Sequence, residues 1–216
     1  MLGNDLSKQP NSLCWTVGAP AQHRMNLMGN HDIHQAFARA LPSQEWCSQP
    51  LMIALADVRD WKSSLPDASV LLDTAENLRK RHKRKQDDRE ALTVSYALHR
   101  LLLGHILGMD PAAVPPLWRG AAGCPRVGDN LVHNKSGHAG DWIALVVSRI
   151  GLVGVDIEPL ARMDMLPEMV ETICTRLEHA AMEALAIDDR SKALLWPLWV
   201  RKEALLKPLA PGCRWK

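Results

Sequence analysis

Residues 152–158 read Leu-Val-Gly-Val-Asp-Ile-Glu, and the alternation in this run constrains the chain more than any other feature. Side chains on an extended segment alternate faces with a period of two. Val153, Val155 and Ile157 therefore turn one way, into a core, and Asp156 and Glu158 turn the other. The two acids then lie roughly 7 Å apart at their Cα atoms. Neighbouring carboxylates repel each other without a counter-charge. A hard cation such as Mg²⁺, held by one or two carboxylates, water and phosphate oxygens, relieves that repulsion. So does solvation of both acids at a strand end before Pro159.

A second constellation lies near the end of the chain, in Trp199-Val200-Arg201-Lys202-Glu203-Ala204-Leu205-Leu206-Lys207. Its composition favours a helix. Helical spacing puts Trp199, Glu203 and Lys207 on one face. Alone, this is an ordinary surface pair; with Asp156 and Glu158 it offers a third carboxylate and an amine for phosphate.

The rest of the chain reads as alternating helical and extended stretches. Residues 51–58 form a buried apolar run that predicts a strand. Residues 142–147 and 152–158 predict two strands of a hairpin turning near 148–151. A helix is predicted over 88–107, with Ala91, Val94, Leu98, Leu101 and Leu102 as its apolar stripe and Gly108 as its stop. Further helices are predicted over 168–186 and through the Trp199 motif. Residues 79–85 carry six Lys or Arg in seven positions. That run suits a solvated helix face, a nucleic-acid patch, or a clamp for a phosphate-bearing ligand or acidic partner. His138 sits in a loop, close by connectivity to the acid pair. His31 and His34 offer a weak metal pair with no third ligand.

Composition narrows the class. A net charge of +2 over 216 residues does not by itself indicate a nucleic-acid binder. The five cysteines, Cys14, Cys47, Cys124, Cys174 and Cys213, are widely spaced and odd in number. This argues against a disulfide framework or a zinc site and favours reduced thiols in a cytoplasmic protein. Residues 1–20 lack an apolar leader, and the longest apolar run, 142–147, is too short to span a bilayer.

Together, Gly154-Val155-Asp156-Ile157-Glu158 and, about 40 residues on, Trp199-x-x-Lys202-Glu203-Ala204-x-x-Lys207 resemble the motif pair of the 4'-phosphopantetheinyl transferases. The match is nearer to the surfactin-synthetase-activating type, similar to the enterobactin synthase component D group. Weaker echoes run from Leu51 to Lys207. Gly137-His138-Ala139-Gly140-Asp141-Trp142 is similar to the family's Ser-His-Ser segment, Gly123-Cys124-Pro125 to its Gly-Lys-Pro, and Arg176-Leu177-Glu178 to its acidic motif before the last helix.

The resemblance implies an α/β (α+β) fold of two pseudo-dimeric lobes in a monomer. It divides the chain into a poorly ordered extension over 1–35, an N-terminal lobe over 36–150 and a C-terminal lobe over 151–216. It implies coenzyme A as donor, Mg²⁺ as cofactor and a serine of an apo acyl or peptidyl carrier protein as acceptor, with no membrane and no nucleic acid. Asp156, Glu158 and Glu203 match the family's metal ligands. Glu203 also matches a residue that helps deprotonate the serine, and Lys207 a lysine facing the pyrophosphate. His138 matches a contact to the 3'-phosphate. Lys202 matches a family lysine counted with the coenzyme A contacts, its role left open, and Arg79, Lys83 and Arg89 lie where further 3'-phosphate contacts are kept. The carriers of fatty-acid, polyketide, nonribosomal-peptide or siderophore synthesis all remain candidates.

This chain departs from the pattern in three places. Gly137 and Ala139 replace two serines, and Cys124 replaces a lysine. The chain also stops nine residues after Lys207, where family members continue with further strands. An incomplete second lobe with Leu205, Leu206 and Leu209 exposed is the expectation. Two rival readings follow: a homologue that binds coenzyme A or a carrier without turnover, and a nucleic-acid binder built on the basic run.

Overall fold

The computed structural model of the chain describes residues 13–16, 32–41, 48–115, 118–119, 125–127, 132–183 and 195–206. Leu13–Thr16 (β1) pairs antiparallel with 53–56, so part of the expected loose extension is a strand of the main sheet. Nothing in its own sequence period marks it; the neighbouring strand's free edge supplies its hydrogen bonds. Ile33–Ala40 (α1) follows, with the Asp32 carboxylate accepting from the backbone N–H groups of His34 and Gln35. Asp32 thus serves as a helix cap. His34 is exposed, and His31 lies outside the described residues.

Leu51–Asp57 (β2) is the predicted strand, its odd and even positions serving opposite faces. A 3₁₀ turn over Val58–Ser64 and a short helix over Leu65–Val70 (α2) lead to Thr74–Arg81 (α3). Asp73 and Glu76 form a reciprocal capping box at the start of α3. Gln86–Leu107 (α4) is the long predicted helix, begun two residues early and ended at Gly108, whose φ of 66° is left-handed. Trp118–Arg119 (β3), Pro125–Val127 (β4), Val132–Ala139 (β5) and Trp142–Ser148 (β6) complete an antiparallel sheet in the order β1-β2-β6-β5-β4-β3.

The hairpin therefore differs from expectation. The partner of β6 is β5, read from sequence as a loop, with Ala139 opposite Trp142 and the turn at Gly140-Asp141. Residues 152–158 form no strand. They cross the sheet instead. Val153, Val155 and Ile157 pack on Ala144 and Val146 of β6 and on Leu51, Ile53 and Leu55 of β2. The apolar alternation was real, but it docks the segment onto a sheet face rather than into the ladder. Gly137 marks the crossing: a Cβ there would stand 3.4 Å from the Val155 carbonyl oxygen.

The opposite sheet face is covered by α4. Val94, Ala97, Leu98, Leu101 and Leu102 meet Met52, Ala54 and Ala56 of β2 and Ile143, Leu145 and Val147 of β6 in one buried cluster. β6 is thus apolar on both faces, as a strand sandwiched between two layers must be. At the far side of α4, Arg100 is almost wholly buried and holds Glu76 and Asp73 at 2.7 Å each. Its Nη1 also donates to the Val114 carbonyl at 2.9 Å. One guanidinium thereby ties α4 to the cap of α3 and to the chain beyond Gly108. Burial pushes the Glu76 carboxyl up from its ordinary value, against the pull of the Asp73 N–H and of Arg100.

Beyond Pro159 the described chain is helical. The single helix predicted over 168–186 is instead a 3₁₀ helix, Leu160–Met169, then Val170–Ile173 (α5) and Arg176–Glu183 (α6), divided where Cys174 turns extended. Thr175 opens α6: its N–H donates to the Glu178 carboxylate at 2.7 Å, and its hydroxyl accepts from the Glu178 N–H at 3.4 Å. Trp196–Leu206 (α7) carries the predicted motif. Leu166, Ile173, Met182 and Leu195 form a second apolar cluster that shares no residue with the sheet's. No helix among the described residues is long and apolar enough to cross a membrane.

Candidate functional site

Three distant segments converge on a cavity of about 440 Å³. Lys83 enters from the α3–α4 connection, Asp87 and Asp88 from the first turn of α4, and His138 from the end of β5. Asp141 in the hairpin turn and Glu158, Pro159 and Arg162 beyond the sheet crossing close it. The β5–β6 turn is held in place: the Val58 N–H donates to the Asp141 carbonyl at 2.7 Å. Arg59 donates from Nε to Asp57 at 2.9 Å and reaches the Asp141 carboxylate at 3.6 Å. Asp57, by hydrogen bond and by charge, pushes the Arg59 pKa still higher.

Of the residues singled out in sequence, Lys83, His138 and Glu158 meet here. Asp156 lies two residues from Glu158, is half-buried, and does not line the cavity. Arg79 is half-buried on α3 and does not line the cavity. Arg89 donates from Nε to the Lys83 carbonyl and from Nη2 to the Arg84 carbonyl, each at 3.0 Å. Its guanidinium holds the turn that carries Lys83. Four charged cavity residues were not among the sequence's site candidates: Asp87, Asp88, Asp141 and Arg162. Only Arg162 left a signal there, at i+4 from Glu158 in a stretch that turns helical after Pro159.

Glu203 lines a different pocket, of about 250 Å³, with Thr175, Trp199, Lys202, Leu206 and Cys174. Lys202 is committed to structure: Nζ donates to the Ile173 carbonyl at 2.6 Å and to Glu178 at 2.5 Å. It joins α7 to α5 and α6. The Lys202 and Thr175 hydrogen bonds hold the Glu178 carboxyl down to about 2. Burial and the Glu178 charge push the Cys174 thiol up, so it stays protonated at neutral pH. Lys207, Cys124 and Leu209 lie outside the described residues. Leu205 and Leu206 are exposed, as expected from the sequence.

The donor set fits a hard divalent cation only in part. Asp156 and Glu158 supply the one or two carboxylates that Mg²⁺ takes beside water and phosphate oxygens. The side chain of Glu158 already holds a cationic partner, Arg162 Nη1 at 2.9 Å from Oε2. Among the described residues no three of His, Cys, Asp and Glu gather closely enough to enclose a metal, so Glu203 does not join the pair there.

Residues 152–216 match the family model described as the 4'-phosphopantetheinyl transferase superfamily. The chain is 36% identical over 124 residues to the 4'-phosphopantetheinyl transferase AcpT of Salmonella typhi, covering 56% of this chain and 61% of that protein. It is 34% identical over 119 residues to the protein of the same name in Escherichia coli strain K12, covering 54% of this chain and 57% of that one. The matched stretch therefore spans less than two thirds of each relative's length. These matches bear out the resemblance carried by the two motifs.

Proposed function

We propose that this chain takes coenzyme A into the cavity between α4, the β5–β6 turn and the segment 158–162, and transfers its 4'-phosphopantetheine group to a serine of an apo carrier protein. The convergence of Lys83, His138 and Glu158 supports this reading most. A ligand with a pyrophosphate and a 3'-phosphate needs several cationic or donor groups in one place, and an acid pair able to share a metal. Lys83 and His138 meet the phosphates. Asp156 and Glu158 hold Mg²⁺, which would neutralise phosphate charge and hold the group in line. The serine hydroxyl gives its proton to water as its oxygen bonds to the phosphorus nearest pantetheine and 3',5'-ADP departs; Glu203, lining its separate pocket, takes no part in this step. Positioning and charge neutralisation dominate such transfers. The exposed Arg81, Arg84 and Lys85 steer an acidic carrier to the cavity's rim.

The test is the mass of an apo carrier protein incubated with the chain, Mg²⁺ and coenzyme A. Gain of a phosphopantetheine arm is expected. Asp156→Ala should slow it at least about a hundredfold, because a metal site is worth several kcal/mol of barrier. No gain with any acyl or peptidyl carrier rejects the reading. The separate pocket of Glu203 favours a second reading, a coenzyme A-binding homologue without turnover. Calorimetric binding of coenzyme A with no gain of carrier mass would establish it.

A further inference from the structure

The ion pair of Glu158 with Arg162 lies in the cavity, yet the transfer chemistry gives it no role. Arg162 Nη1 donates to Glu158 Oε2 at 2.9 Å. The Glu158 side chain is 15% exposed and that of Arg162 63%. The arginine's backbone is anchored, its N–H donating to the Pro159 carbonyl at 2.9 Å in the first turn of the 3₁₀ helix. A sheltered carboxylate is thus neutralised by a long, largely solvated side chain on a fixed stem. Such a pair is weak and exchangeable.

We propose that Arg162 is a competing counter-ion for the divalent cation at Glu158 and sets how tightly the site takes it. The proposal rests on Asp156 and Glu158 being the metal's ligands. Guanidinium and metal seek the same oxygen, so each loosens the other. The apparent affinity for the metal falls with the fraction of molecules in which Oε2 is already held. For an exposed pair this amounts to about a two- to sixfold reduction. Repulsion between two cations acts in the same direction. Arg162 also lines the cavity beside Lys83, so a guanidinium released from Glu158 remains where phosphate would lie.

Manganese titration of the full chain, followed by electron paramagnetic resonance of free Mn²⁺, tests this without substrate or turnover. Arg162→Ala and Arg162→Gln are expected to bind Mn²⁺ about two- to sixfold more tightly than the parent. Arg162→Lys keeps the charge and should stay near the parent affinity, while Asp156→Asn should lose the ion and so locate it. Equal or weaker Mn²⁺ binding in both Arg162→Ala and Arg162→Gln overturns the proposal and leaves the metal assignment standing. No Mn²⁺ binding by the parent or any variant overturns both.

Discussion

Single residues set local limits that composition does not reveal. Gly104 lies inside α4, where alanine is favoured by about 1 kcal/mol on propensity. A Cβ there would stand 2.8 Å from the Met109 carbonyl oxygen and 3.1 Å from Pro111 Cα, both backbone atoms. The clash outweighs the propensity, so Gly104→Ala should destabilise by about 1–3 kcal/mol in urea denaturation. Arg100→Met should cost more, about 3–5 kcal/mol, since it strands two carboxylates around a buried site. Glu178 gives a pH-dependent case. Its folded pKa is depressed to about 2, with Lys202 the main cause. Its contribution is therefore present above the ordinary carboxylate value and lost as pH falls toward about 2. The melting-temperature gap between the parent and Glu178→Gln should be full at pH 6 and close progressively below about 4.5. A gap that is unchanged at pH 3 would show that the Lys202 bond is not its source.

Among the elements, the α3–α4 connection shows how a charge run can be divided between structure and ligand. From sequence, the basic residues of 79–85 and Arg89 had no fixed register. Folding separates them: Lys83 lines the cavity, while Arg89 is spent on two backbone carbonyls of the turn. Arg89→Ala should raise amide exchange across 82–86 and cost about 1 kcal/mol, with little change in α4 itself. Unaltered exchange in that turn would leave Arg89 free to be a ligand contact, as the resemblance implies. The segment 152–158 carries the converse lesson. Alternation identifies which side chains are buried, and Val153, Val155 and Ile157 are indeed packed on the sheet. It does not identify the partner, because docking on a face and pairing at an edge bury the same positions.

For the whole molecule, three apolar clusters divide the described chain. One joins the sheet to α1 and α4, a second gathers the 3₁₀ helix and α5, α6 and α7, and a third packs residues 153–157 on the sheet's other face. Leu195 is 1% exposed in the second. Leu195→Ala should destabilise that cluster by about 2–5 kcal/mol. Hydrogen exchange should then quicken over 170–183 and 196–206 while 94–103 stays protected. Equal acceleration in both would mean that the clusters unfold as one.

The sequence by itself determined the local preferences. It marked the α4 helix and its Gly108 stop, the buried runs of β2 and β6, the inward side of residues 153–157 and the helix carrying Glu203, because each depends on the period and propensity of a few adjacent residues. The two motifs also carried the family resemblance, since they are strings of residue types. Only the tertiary structure decided which side chains share a space. It moved β5 into the sheet, brought Lys83, His138 and Glu158 around one cavity, gave Glu158 an arginine partner and placed Glu203 in another pocket. Those outcomes depend on contacts between segments tens of residues apart, and no short window of sequence encodes the distance between its own side chains and a remote neighbour's.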